Sequence, residues 1–473
     1  MAPERVTEYE RKRLENIKRN DELLASLNIH SKLADLSASA KRQREHTKSY
    51  KVSPEKKLKS ETPIVIRRSL RTQGKQPDST TIPKSLVIPK NPPHQLGPIT
   101  MADANTCSES NQVLVQKILS VCKDPQLKDG DGDGDGGCAN KGIGLRVKGS
   151  IDLESMELAP ENIARVVPGR ILSVKFFPSA DMRMVVAGNK FGDVGFWNVD
   201  SQNEDGDGIY TYHPHPAPVS GILIHPFSMN KIITSCYGGL IRLLDIEKEI
   251  FGLAYSTDDA IFSTSQRPDD MNSIYFGEGN GVLSIWDERS GKISLSWDLH
   301  ESRINSIDFN SENNNIMTTS SSDGTACIWD LRKVGKSKLE SLKVVAHKRA
   351  VHSAFFSPSG SILATTSLDD TIGLVSGANY EDEFMISHNN RTGRWLSTFR
   401  GVWGWDDSYM FVGNMKRGID VISTAAEERR VVSTLESPHM SAIPCRFDPH
   451  PLKPGMLAGT TGGGQVYIWT SSS

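Results

Sequence analysis

Long hydrophobic runs are missing from this 473-residue chain. No apolar stretch approaches the roughly 18 residues that a membrane-spanning helix requires, and the charged N-terminus does not read as a signal peptide, so a soluble intracellular protein is expected. Cysteine is scarce and unpatterned. The six, at positions 107, 122, 138, 236, 327 and 445, form no Cys-x-x-Cys pair and stand at no metal-ligand spacing from a histidine. Free thiols are therefore expected, rather than a disulfide framework or a zinc site. Catalytic signatures are lacking too: there is no Gly-x-Ser-x-Gly, no His-Glu-x-x-His and no phosphate-cradling glycine loop, and the 12 histidines are scattered. His213-Pro-His215 reads as a polar loop, and neither an enzyme nor a bound cofactor is expected.

Charge is balanced overall but not along the chain. Residues 1–100 hold 21 Lys and Arg against 11 Asp and Glu, a net +10, so the remainder carries −12 to reach the total of −2. A basic arm is joined to a mildly acidic body, and such an arm is an electrostatic handle for nucleic acid. The clusters Lys41-Arg42-Gln43-Arg44, Lys56-Lys57-Leu58-Lys59 and Arg67-Arg68 through Arg71 point to nuclear import.

Within that arm, residues 1–29 read as an amphipathic docking helix over 7–29. Thr7 and Glu10 make a capping box, and Tyr9, Leu14, Ile17, Leu24 and Leu27 form a narrow apolar stripe. The stripe suits either the side of the body or another protein. Residues 30–160, with prolines interleaved among Ser, Thr and Lys and an Asp/Gly-rich run, read as disordered linker. Asp129 to Asp135 spells six positions of a calcium loop, but Asn140 stands where a bidentate Glu is required, so calcium is not expected.

From residue 161 the chain becomes periodic. Ile316 to Arg332 reads as a β-hairpin turning at Asp323-Gly324 and ending at Trp329-Asp330. The same spacing, a turn residue five before a strand-end apolar residue, recurs from Gly192 to Trp197, Gly239 to Leu244, Gly281 to Trp286, Gly324 to Trp329, Asp370 to Val375, Arg417 to Ile422 and Gly464 to Trp469. Intervals of 42 to 47 residues match the WD40 unit of about 40–45 residues. Upstream strands are expected at Ile171 to Phe177, Val219 to His225, Arg303 to Phe309, Val351 to Ser357, Thr398 to Trp403 and Ile443 to Asp448, with the third unit poorly marked around Tyr255 to Ser263. The expected fold is an all-β, seven-bladed WD40 propeller over 161–473. The last unit lacks an outer strand, which Ala164 to Val167 is placed to supply.

In such a ring the turns between second and third strands, and the connections into first strands, open on one face. Here those places hold Arg170, Lys190, Arg303, Lys348, Arg349, Arg391, Arg394, Trp395, Lys416 and Arg417, with Glu278 and Glu301 the main acids. A basic mouth of this kind suits a phosphate backbone, because each neutralised phosphate releases counterions. Trp395, flanked by Arg394 and Gly393, either stacks on a base or folds back as core. On the opposite face, Trp286-Asp287-Glu288-Arg289 and Trp329-Asp330-Leu331-Arg332 end consecutive units, so Arg289 and Arg332 form a pair of forks for carboxylates.

The residues Tyr9 to Asn20 with Leu23-Leu24, Pro168-Gly169-Arg170, Ile261 to Arg289 and His388 to Leu396 resemble the WD-repeat-containing protein 76 family with its plant and fungal counterparts. That family is related to the small subunit of the UV-damaged-DNA-binding complex. The resemblance implies a nuclear propeller that binds DNA, with some preference for damaged sites, and acts in genome maintenance. It also implies docking on the large damaged-DNA-binding subunit, the adaptor of cullin-4 RING ubiquitin ligases. The Trp286, Asp287, Arg289 and Trp329, Asp330, Arg332 ends would serve that dock, with Tyr9, Leu14, Ile17 and Leu24 adding to it. Where the UV-damage relative carries an aromatic, an amide and an imidazole that enter the duplex, this chain has Gly393, Arg394 and Trp395. The alternative reading of the residues is a protein-only scaffold that takes acidic peptides or chromatin proteins at the mouth.

Overall fold

The computed structural model describes residues 18, 96–107, 110–122, 147–201, 207–224, 228–334 and 339–471. Residues 1–87 and 88–473 form separate units, and of the first only Lys18, helical and exposed, is described. Most of the expected 7–29 helix, with Tyr9, Leu14, Ile17, Leu24 and Leu27, lies outside the described residues, as do the three basic clusters and Asp129 to Asp135.

The second unit is a seven-bladed β-propeller. Its turns explain its period. All seven marker residues take left-handed backbone angles: Gly192, Gly239, Gly281, Gly324 and Gly464 at φ between 75° and 99°, Asp370 at 65° and Arg417 at 68°. A tight connection between second and third strands requires such a residue, and glycine adopts it without steric cost. Five residues on, Trp197, Leu244, Trp286, Trp329, Val375, Ile422 and Trp469 are all buried. Each blade therefore repeats one turn and one anchor, spanning 171–212, 219–256, 261–298, 304–346, 351–387, 402–435 and 444–471.

The fourth blade shows how the anchor is held. His300 bonds Asp323 through Nδ1 (3.0 Å) and Thr319 Oγ1 through Nε2 (2.7 Å), and Trp329 Nε1 donates to the same Thr319 oxygen at 2.8 Å. Burial alone would raise the Asp323 pKa, but hydrogen bonds from His300 and Thr325 hold it far below the usual carboxylate range.

The ring closes on its N-terminal side as expected, although the closing strand is Ile163–Arg165 and not Ala164 to Val167. Ile163–Arg165 pairs with the strand Gln465–Ser471, and Met156–Glu157 extends the pairing to Ser471 and Thr470. Val166 N–H then donates to the Gly464 carbonyl at 3.0 Å.

Three expectations change. The third blade's inner strand runs Ile261–Arg267, while Tyr255 pairs with Ile241 as part of the second blade's outer strand. Polar Ser263, Thr264, Ser265 and Gln266 hide this strand's apolar alternation. In the sixth blade only Val402–Trp403 is laddered, because Gly401 N–H donates to Thr366 Oγ1 of the neighbouring blade at 3.0 Å instead.

The third change concerns the segment read as linker, parts of which are folded. Ile99–Thr100 adds an edge strand to the second blade, opposite Phe251 and Ile250. Thr100 Oγ1 caps the short helix Met101–Ala104 by accepting from Asp103 N–H at 3.0 Å. The helix Asn111–Cys122 buries Leu114, Val115 and Ile118 in one cluster with Phe196 and Tyr212 of blade 1 and Leu244 and Phe251 of blade 2. Leu114, Val115, Ile118, Leu119 and Cys122 recur at helical spacing, a stripe that the reading of 30–160 as linker passed over because it is short and stands between a proline-rich and an Asp/Gly-rich run.

Candidate functional site

The basic mouth resolves into two concavities. The larger, about 550 Å³, is lined by Arg170, Arg303, His352, Arg394, Leu396 and Thr398 among others. The second, about 450 Å³, holds Lys416 and Arg417 together with Glu436. Of the ten residues expected on this face, the first concavity gathers Arg170, Arg303 and Arg394. Lys348 and Arg349 are exposed on a connection outside that lining, and Lys190 lies over the half-exposed Phe191 ring at 4.5 Å. The face is also less free of acid than its sequence indicates. Arg391 is paired with Asp370 at 2.8 Å, Glu436 stands beside Lys416 and Arg417, and the expected exception Glu278 is buried.

The segment after His388 is pinned at both ends and projects between them. His388 bonds Asp420 through Nε2 (3.1 Å) and Asn390 through Nδ1 (2.8 Å), and buried Asn390 donates to the Ser367 and Thr371 carbonyls. At the far end Ser397 Oγ donates to the Ile171 carbonyl at 2.7 Å. Across the loop, Arg170 Nη1 donates to the carbonyls of Arg394 (2.9 Å) and Leu396 (3.2 Å). Trp395 is left 85% exposed. The core alternative for this residue is thereby excluded, and a large aromatic stands free beside the larger concavity.

Beneath that concavity lie cations that sequence reasoning passed over. Arg400 stands on the connection into blade 6, two residues before its first strand, and Arg446 lies on the innermost strand of blade 7. Arg446 is 8% exposed and donates to the carbonyls of Leu172 and Cys445 and to Thr398 Oγ1. Arg400 donates to the Asn305 carbonyl at 2.7 Å. Burial, then the Arg400 charge, pulls the Arg446 guanidinium down to about 9, and burial, then Arg400, Arg446 and Arg303, pushes the His352 imidazole down to about 3. Arg400 ends the Arg-rich stretch that begins at His388, and Arg446 interrupts an apolar strand. An arginine at such a place was the available signal.

A family model described as WD domain, G-beta repeat, matches residues 291–330 and 339–375, across blades 3 to 5. WD repeat-containing protein 76 of Xenopus laevis is 28% identical over 99% of this chain and 82% of its own length. A Neurospora crassa protein named DNA damage-binding protein cmr1 is 28% identical over 98% of both chains. The mouse WD repeat-containing protein 76 is 26% identical over 98% of this chain and 74% of its own. The chain carries WD repeats and is similar over nearly its whole length to WD repeat-containing protein 76.

On the opposite face of this WD-repeat protein the two strand ends differ. Trp286 and Trp329 are buried anchors, so only the residues after them reach the rim. Arg332 folds back on Asp330 as a bidentate pair, Nε to Oδ1 and Nη2 to Oδ2, each at 2.9 Å. Arg289 is exposed, with its backbone N–H turned to Asp287 Oδ1 at 2.8 Å. The expected pair of open forks is thus one exposed guanidinium and one already matched to a carboxylate, because Asp330 sits two residues away with its side chain buried.

Proposed function

We propose that this WD-repeat protein is a non-enzymatic, nuclear DNA-binding protein of the damage response that engages DNA through the mouth of its ring. The observation that carries the reading is the convergence of Arg170, Arg303 and Arg394 on one concavity beside a free Trp395. Arginine forks suit phosphate oxygens, and an unburied indole suits a base face. Relatives over nearly the whole chain bear the name DNA damage-binding protein. The further part of the reading is that the opposite rim, through Arg289 and Arg332, docks on the large damaged-DNA-binding subunit and makes the chain a substrate receptor of a cullin-4 RING ubiquitin ligase. Arg332 then presents an Arg-Asp pair rather than a bare charge.

The test is equilibrium binding to intact and lesion-bearing duplexes across a salt series, with wild type beside Arg394→Ala combined with Trp395→Ala. Affinity should fall by orders of magnitude between about 50 and 200 mM salt, and the double variant should bind more weakly at every point. Binding that survives the double change unaltered assigns the affinity to the basic arm, and a sequence-selective acidic peptide at the mouth would make the ring a protein scaffold. Docking is tested separately by adaptor pull-down with Arg289→Ala and Arg332→Ala, each expected to reduce capture.

A further inference from the structure

Buried arginines are ordinarily matched by carboxylates, since an uncompensated charge away from water is costly. Arg170 and Arg303 line the concavity over the ring's central channel, Arg400 and Arg446 stand close enough to act on His352 and on each other, and among the described residues none of the four arginines forms an ion pair with an acid. Their hydrogen bonds go to carbonyls and hydroxyls: Arg394, Leu396, Asn305, Leu172, Cys445, Ser322 and Thr398. Such partners hold the guanidinium groups in place without neutralising them. Arg170 Nε, Arg400 Nε and His352 Nε2 are buried with no hydrogen-bond partner, and His352, 4% exposed, lines the concavity. Buried polar groups of this kind need a partner, either water or a bound anion, and three of them beside unneutralised arginines favour the anion.

We propose that this channel is a site for one phosphate monoester, the terminal phosphate of a DNA strand. The proposal rests on the DNA-binding reading above and adds to it a second, deeper contact. A cavity of about 550 Å³ is of small-ligand size. A duplex, whose major groove alone is about 12 Å wide, lies across such an opening and does not enter it. A strand end does enter, because nothing beyond the phosphate has to fit. Several uncompensated cations favour a dianion over the single charge of a backbone diester or a carboxylate, and arginine forks present paired N–H groups to phosphate oxygens. Arg170 and Arg303 form the walls, His352 donates from Nε2, and Arg400 and Arg446 supply the field from beneath. Trp395 stands at the rim, where the terminal base would stack.

The experiment uses the full chain and three DNAs of one stem sequence: a closed dumbbell without ends, and the same stem with an open end bearing a 5′-phosphate or a 5′-hydroxyl. Wild type should prefer the phosphate end over the hydroxyl end by about tenfold or more. Arg400→Gln should bring that ratio close to one, and Arg303→Gln, at a half-exposed position, serves the same purpose if the first variant does not fold. Equal binding of the two ends, with the dumbbell still bound, overturns the proposal and leaves the duplex reading standing. Failure to bind any of the three overturns both. Displacement of the phosphate-ended DNA by a phosphoserine peptide, but not by a 5′-phosphorylated dinucleotide, would assign the channel to phosphoproteins and refute the DNA end as its ligand.

Discussion

Arg417→Gly should make the protein more stable and a weaker DNA binder. At the equivalent turn position five blades have glycine, and only Asp370 and Arg417 hold a side chain at φ 65° and 68°. Left-handed angles cost an L-residue about 1–2 kcal/mol. Asp370 offsets that cost, accepting from Asn390 N–H at 3.1 Å and pairing with Arg391 at 2.8 Å. Arg417 is exposed, and among the described residues its side chain makes no hydrogen bond. The turn itself is held by Asn414 Oδ1, which accepts from the N–H groups of Lys416 and Gly418 at 2.9 and 2.8 Å, and the substitution leaves those bonds intact. Glycine relieves the left-handed cost but adds about 0.5–1 kcal/mol of unfolded-state entropy, so a net gain of about 0.5–1 kcal/mol is expected. For a ring of roughly 300 residues that corresponds to about 1–2 °C in Tm. If Arg417 contacts a phosphate, the same variant lowers the slope of log affinity against log salt by about one and weakens DNA binding several-fold at low salt. Thermal denaturation and a salt series on one preparation read both. A loss of stability would refute the strain argument, and an unchanged salt slope would remove this turn from the interface.

Trp395→Ala should leave Tm within experimental error, since the ring packs on almost nothing, yet cost about 1–3 kcal/mol in single-strand binding measured by fluorescence titration. Gly464→Ala should destabilise by several kcal/mol in urea denaturation. Its φ is 89°, and the added Cβ would collide with the Val167 carbonyl in the segment that closes the ring. Acid should act through buried histidines before it acts on carboxylates. Burial, then nearby cations, lowers His352 and His215 to about 3 and His450 to about 4, so the native state refuses protons that the unfolded chain takes up near 6.5. Their contribution is complete above about pH 6.5 and is lost as pH falls towards 3–4, by up to ~1.4 kcal/mol per pH unit for each. The urea midpoint should therefore fall between pH 7 and pH 5, less steeply in His352→Gln, and a flat midpoint over that range would refute the assignment.

The order of the blades, the turn that repeats in each and the Trp-type anchors were legible in the chain itself. The left-handed turn residue and the anchor five positions later form a local pattern, and blade after blade must satisfy it to stack. The closing strand was legible for the same reason: a last unit without an outer strand leaves an edge unpaired, and the residues before Ile171 were near enough in the ring to fill it. Tertiary structure decided what depends on distant partners. The helix Asn111–Cys122 carries its apolar stripe in its own sequence, but the surface of blades 1 and 2 that buries the stripe lies far along the chain. Arg400 and Arg446 meet Arg170 and Arg303 only because the ring brings the innermost strands of several blades, and the connections into them, to one axis. Trp395 is free rather than buried because His388, Asn390 and Arg170 hold the loop on either side of it, each through a partner from another part of the chain. Sequence determined the repeat because its forces act within about 50 residues. Closure of the ring decided the channel, because only there do residues from several blades become neighbours.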